Sequence, residues 1–211
     1  SAAGGYIYPL EDGEFDTSDL GVGQEGSLAF AEAWGQLGAD GVIKSTFVGD
    51  DLINAWSSGE LAYWITGPWN TPIVTDSGVN FELEAVPGWE GVDSPAVPIV
   101  GTQGFYLSQF SENKSTAQAF LDATMNTEFM NTIYEADPRP PAWKESDASS
   151  DPIVAGFLEY GEGGYPNLYP NSGVVYNELG LAQVKILDGA DPTTTMEEAG
   201  TNIQNRTGSA S

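Results

Sequence analysis

An α/β fold is predicted for this chain, and three observations carry the prediction. Apolar residues recur at helical spacing in one segment after another along its 211 residues. Between those segments lie runs rich in aromatic and β-branched residues, LAYWIT (61–66), FELEAV (81–86) and VGTQGFYLSQF (100–110), which read as strands. A composition of 40% hydrophobic and 11% aromatic residues supplies a real core, in one large domain or two small ones. Strands that interleave with helices place the chain in the α/β class.

The elements follow in order. After a Gly- and acid-rich opening, Leu28, Phe30, Ala31, Trp34 and Leu37 fall on one helical stripe. A second helix starts with Asp50 or Asp51 as N-cap, carries Leu52, Ile53 and Trp56, and stops at Ser57-Ser58-Gly59. The LAYWIT strand then runs to the turn signal Gly67-Pro68, FELEAV ends at Pro87-Gly88, and residues 87–98 form a Pro/Gly loop. Ser115 with Gln118 forms a capping box before the stripe Ala117, Phe120 and Leu121. Asn126 caps a helix bearing Phe129, Met130, Ile133 and Tyr134, and residues 137–151 read as a linker. Asp151-Pro152 opens the next helix, with Ile153, Val154, Phe157 and Leu158. The tyrosine-dense loop GEGGYPNLYPN leads to two closing helices, one with Val175, Leu179 and Ile186, the other with Met196, Ala199 and Ile203. No internal repeat is visible.

Charge narrows the function. The chain holds 31 acidic residues against 6 basic ones, a net of -25, and no histidine. A field of that sign repels phosphate backbones, so nucleic acid is not a partner, whereas a neutral ligand is fully compatible. Without cysteine or histidine, disulfides, thiol nucleophiles, the usual general base and the usual transition-metal ligands are all excluded. No cofactor and no metal site is expected. The acids Glu14, Asp16 and Asp19 miss the spacing of a calcium loop and read as a solvated face. No apolar run reaches a membrane span, and the start SAAGGYIYPL has neither a charged nor an apolar leader region.

The stretch GELAYWITGPWNT (59–71) places an indole, Trp69, just past the end of a strand, with Asn70 beside it. On its own this leaves two readings open: a buried anchor behind a turn, or an exposed plate on which something flat stacks. Several stretches then resemble the maltose-binding type of extracellular solute-binding protein, the soluble receptor of carbohydrate ABC importers. They are GGYIYPLEDGEFDTSDLGVG, the Trp56–Trp69 string W-x-x-G-E-x-A-x-x-I-x-G-P-W, the VPGWEG-to-VPIVG loop, SENKSTAQAFLDAT, ADPRPPAWKE, and YPN before the two closing helices. The match runs in order over nearly the whole chain and corresponds to the second half of the family pattern.

That resemblance implies an α/β, periplasmic-binding-protein-like (type II) lobe with a mixed sheet flanked by helices, expected as a fragment of a two-lobed receptor. Residues 1–98 and 151–211 would form the C-terminal lobe, and 99–150 would pack on an N-terminal lobe and include hinge crossings. The missing lobe, or another chain standing in for it, and a membrane ABC permease would be the protein partners. The location would be extracellular, at the cell surface as an anchored lipoprotein, or periplasmic. Sugar rings need aromatic plates for their C–H faces and polar groups for their hydroxyl rim. The resemblance makes Trp69 such a plate, with Asn70 next to it, and assigns a second aromatic position in the cleft to Tyr176. Phe47 lies near another family aromatic. Val175 replaces a tryptophan of the maltose-specific members, and Leu179 stands near a position that is charged in some of them. Both departures bear on the choice of sugar. Tyr169 or Tyr165 would compensate for the lost plate, or would simply be loop tyrosines in solvent. Trp34, Trp56 and Trp64 are expected in the core, and Trp89 and Trp143 in loops at the hinge crossings.

The leading reading is thus non-catalytic binding of a neutral, maltodextrin-like oligosaccharide by hinge closure. A carbohydrate-active enzyme using two carboxylates is the alternative, with Glu82 and Glu84 on one face of a strand. An acidic cell-surface structural domain is a third.

Overall fold

The computed structural model describes residues 4–88, 96–146, 150–167 and 169–208; Trp89 and the VPGWEG stretch beyond Gly88 lie outside them. Its order is β1 (Leu10–Glu11), β2 (Glu14–Phe15), α1 (Glu25–Ala39), α2 (Asp50–Ser57), a 3-10 turn (Pro68–Asn70), α3 (Thr71–Asp76), β3 (Ile99–Val100), α4 (Lys114–Thr124), α5 (Thr127–Ala136), α6 (Pro152–Gly161), β4 (Tyr165–Pro166), α7 (Ser172–Leu187) and α8 (Pro192–Thr207).

Helices α1, α7 and α8 form the core layer. In α7 the buried residues are Val175, Ala182 and Ile186, and in α8 they include Met196, Ala199, Gly200 and Ile203, spaced as one face of a 3.6-residue helix requires. Small residues let these helices approach. A Cβ on Gly35 would stand 3.0 Å from Pro192 and 3.2 Å from Ile186, and one on Gly200 would meet the backbone carbonyl of Val22. Glycine costs a helix roughly 1 kcal/mol relative to alanine, and here the close approach it permits offsets that cost. Tyr8, Leu20 and Val22 from the opening segment fill the same core. Asp191 accepts from the backbone N–H of Thr194 at 2.8 Å and so caps α8. Asp151 caps α6 from the backbone N–H groups of Ile153 and Val154, and Asn126 caps α5 from that of Phe129, as the sequence suggests.

Strands depart most from expectation. The β1–β2 hairpin turns at Asp12-Gly13, both at positive φ, as a two-residue turn demands. Beyond it, β3 pairs with β4 in parallel, Ile99 opposite Tyr165. Residues 61–66 and 81–86 form no ladder, and of the third expected strand only Val100 is paired, so the expected mixed sheet is absent among the described residues. The period-2 pattern is nonetheless real: Phe81 and Leu83 are half-buried, while Glu82 and Glu84 are exposed. A strand exists only when its N–H and C=O groups meet a neighbour's, and these residues have none among the described segments. The Ser115–Gln118 capping box is likewise not formed: α4 begins at Lys114 without a side-chain cap, and Gln118 donates to Asp122 at 2.8 Å. Among the described residues no hydrophobic side chain between 97 and 146 is buried.

Candidate functional site

The GPW turn is built on a small packed platform. Trp56 of α2 is buried against Trp64 (ring centroids 5.7 Å apart) and Phe81 (6.3 Å), and its indole N–H donates to Ser77 Oγ at 3.2 Å. Val74 of α3 is buried beneath the same turn. Pro68, whose fixed φ suits the first position of a helical turn, begins the 3-10 turn that bears Trp69. The Asn70 backbone N–H donates to the Gly67 carbonyl at 3.1 Å, and Asn70 Nδ2 donates to Thr66 Oγ1 at 2.7 Å. These two bonds close the turn from both sides.

Trp69 is 59% exposed. The six-membered ring of its indole lies over Gly67, where any Cβ would meet it. Gly67 is therefore required by close approach and not by its own dihedral angles, which are extended. The amide of Asn70 is committed to Thr66, which leaves its carbonyl oxygen to accept.

A second group surrounds Tyr176. Tyr176 on α7 is 48% exposed and lies 6.1 Å from Tyr169, which is itself 3% exposed. The expectation of Tyr169 as a loop tyrosine in solvent is corrected: its ring packs against Tyr8, Phe15 and Tyr165 at about 6 Å each, which buries it. Tyr165, also read as a loop tyrosine, is half-buried, and its hydroxyl donates to the Tyr8 carbonyl at 2.7 Å. Burial, followed by the neighbouring Tyr176, Tyr165 and Tyr8 groups, raises the Tyr169 hydroxyl well above the ordinary tyrosine range. Val175 is fully buried beside them.

Phe47 is 37% exposed in the loop between α1 and α2, held by its backbone N–H to the Lys44 carbonyl at 3.1 Å. The expected residues thus occupy three places: Trp69 with Asn70, Tyr169 with Tyr176, and Phe47. Among the described residues no hydrogen bond or ring contact joins the three. Sequence reading passed over Thr66 as a support for the GPW turn, and over Tyr8 and Phe15 as the rings packed on Tyr169. The Y-I-Y-P run at 6–9 was the available signal for Tyr8.

Elsewhere, a groove of about 360 Å³ lies between Phe105, Tyr106 and Leu107 and the Phe120–Leu121 face of α4. The acids of the opening serve local structure: Asp19 accepts the Tyr6 hydroxyl at 2.8 and 2.9 Å, and Asp16 accepts from Ser18. Among the described residues no helix is long and apolar enough to cross a membrane.

Trp69 thus stands open to solvent on a Gly-Pro turn, with Asn70 beside it. The chain belongs to the bacterial extracellular solute-binding proteins, whose family pattern it matches over residues 2–155. Phe47, Trp69 and Asn70 fall inside that match; Tyr169 and Tyr176 fall beyond it. Among individual proteins it is similar to the galactooligosaccharide-binding protein of Bacillus subtilis (strain 168), 29% identical over 159 residues, 73% of this chain and 37% of that protein. It is also similar to the maltooligosaccharide ABC transporter solute-binding lipoprotein of Streptococcus pneumoniae (strain ATCC BAA-255 / R6), 24% identical over 147 residues, 68% of this chain and 34% of that one. The chain spans about a third of the length of these relatives.

Proposed function

We propose that this chain supplies one wall of a site for a neutral, maltodextrin-like oligosaccharide, in a receptor that delivers sugar to an ABC importer from outside the cell. Trp69 is the plate, Asn70 offers its carbonyl to a hydroxyl, and Tyr176 is a second aromatic surface; Phe47 is the outlying candidate. The exposure of Trp69 carries the reading. An indole is kept in water at 59% exposure by a turn that two hydrogen bonds hold shut. The names of the relatives support an oligosaccharide as the ligand class, and both glucose- and galactose-based chains are represented in them.

The mechanism is closure about a hinge. A sugar that contacts a second wall only when the two walls meet favours the closed arrangement by the free energy of those contacts. No proton transfer is called for, and Glu82 and Glu84 stand exposed to solvent.

The size of the effect follows from the parts. Stacking adds on the order of 1 kcal/mol per aromatic contact beyond area burial. Association costs several kcal/mol of rigid-body freedom, so two plates bind weakly, at about millimolar strength. Tryptophan fluorescence titrated with maltotriose and with a galactooligosaccharide tests this. The 211-residue chain is expected to bind at about millimolar concentration, and Trp69→Ala to remove binding while leaving the melting temperature unchanged. Binding of equal strength in Trp69→Ala would end the reading, as would release of reducing ends from the sugar.

A further inference from the structure

The chain carries two Asn-x-Ser/Thr triplets, Asn113-Lys114-Ser115 and Asn205-Arg206-Thr207, and the fold treats them in opposite ways. Such a triplet is the acceptor pattern for attachment of a glycan to asparagine in exported proteins. A transferase must reach the carboxamide and the hydroxyl two residues on at the same time. In an α-helix residues i and i+2 point roughly 200° apart, so a helical triplet cannot offer both groups to one enzyme face.

Asn205 has that unfavourable setting, in the last turn of α8. Arg206 Nη1 donates to Glu178 Oε1 of α7 at 2.5 Å, and the Thr207 hydroxyl donates to the Ile203 carbonyl at 2.8 Å. Ile203 is fully buried, so unwinding this end of α8 would open the core. Asn113 differs on every count. It is the exposed N-cap of α4, with φ -112° and ψ 40°, outside the helical range. Its carboxamide makes no cap bond, and among the described residues no hydrogen bond engages it or the exposed Ser115 hydroxyl. An N-cap side chain lies next to the backbone N–H of the second helical residue, which here is Ser115. Carboxamide and hydroxyl therefore start on the same side of the turn. The first N–H groups of a helix have no intrahelical acceptor, and α4 buries only Thr124, at its far end. Little holds this turn against opening.

We propose that Asn113 is a site of N-linked glycosylation, selected over Asn205 by the fold. The donor is a sugar carried on a polyprenyl phosphate. Asn113 Nδ2 bonds to the anomeric carbon as the bond from that carbon to the phosphate oxygen breaks. The lipid phosphate leaves with the electron pair, and the amide gives up one proton to a carboxylate of the transferase. No oxidation or reduction is involved. The inference rests on the placement outside the cell given above, because the acceptor has to be exported to meet the lipid-borne sugar.

The test uses the full chain recovered from the envelope of the cells that make it, read by peptide mass spectrometry. The peptide containing Asn113 is expected to carry the added mass of sugar residues, and the peptide containing Asn205 none. Asn113→Gln should lose the added mass, and Asn205→Gln should keep it. Lys114→Pro is the sharper variant. Proline suits the first position of a helix, so α4 is retained, whereas proline inside the triplet blocks transfer. Its circular dichroism is expected to match that of Asn113→Gln, with the sugar gone from both.

An Asn113 peptide without sugar in the parent chain would overturn the proposal. So would added mass that persists in Lys114→Pro, which would show a modification that does not read the triplet. Sugar on Asn205 would overturn the selection by the fold. Cell fractionation that finds the chain only in the cytosol is a distinct result, which removes the placement outside the cell and this inference with it.

Discussion

Two regions of the molecule use the same raw material in opposite ways. Helices α1, α7 and α8 interlock around Ile186, Met196 and Ile203, each 2% exposed or less. Helices α4 and α5 are as amphipathic in sequence, yet Phe120 and Ile133 are exposed, and so are Phe105, Tyr106 and Phe110 ahead of them. The difference is the presence of glycines at the crossings and of a tyrosine-lined floor in the first region. Among the described residues nothing of that kind gathers the second. An apolar stripe directs a helix toward a neighbour, but burial requires that the neighbour be there.

The comparison can be broken by core deletion. Ile203→Ala is expected to cost about 2–5 kcal/mol in urea unfolding, because its pocket is closed on all sides. The matching change in the open region, Phe120→Ala, should stay within about 0.5 kcal/mol, as surface changes do. Comparable losses at the two sites would erase the distinction. Next in size is Gly200→Ala. Its methyl would press on the Val22 carbonyl, which is backbone and cannot rotate away, so a loss of about 1–3 kcal/mol is expected from the same measurement.

A smaller effect sharpens the picture of α8. Hydrogen bonds from the Thr194 backbone N–H and then its hydroxyl hold the Asp191 carboxyl below its ordinary value of 3.8. A group depressed in this way contributes stability above its unfolded pKa and loses it as pH falls through the folded one. Asp191→Ala should therefore lower the melting temperature at pH 7 by about 2–4 °C. The gap between variant and parent should close as the pH drops below about 3.8, where both lack the charge. A gap that persists at pH 2 would mean the carboxylate's charge is not what caps the helix.

How much of this was legible in the sequence depends on what each element needs. Helices declare themselves locally: the Asn126 and Asp151 caps and the Met196–Ala199–Ile203 stripe were all readable, because cap and stripe lie within one segment. The strands at 61–66 and 81–86 were misread because pairing is not local. Their alternation records which side chains turn inward, and it is silent on whether a partner strand is within reach. The β1–β2 hairpin was missed despite its Asp12-Gly13 signal, since two-residue strands carry almost no periodicity. At the site, the GPW string exposed Trp69 and Asn70 to view, because a turn motif is contiguous. Tyr169 was misplaced because its burial comes from Tyr8 and Phe15, more than 150 positions away in the chain.

The indole of Trp69 rests one face on Gly67, and this gives the molecule a built-in optical reporter. The six-membered part of the ring is covered on the Gly67 side, so under the proposed reading a docked sugar covers the face that remains open. Its emission should lie to the red in the free chain and move to the blue as the open face is covered. The net charge of -25 decides which quencher can reach that face. Caesium should be concentrated there and iodide repelled. With six tryptophans in the chain, that open face is read as the difference in quenching between the parent and Trp69→Ala.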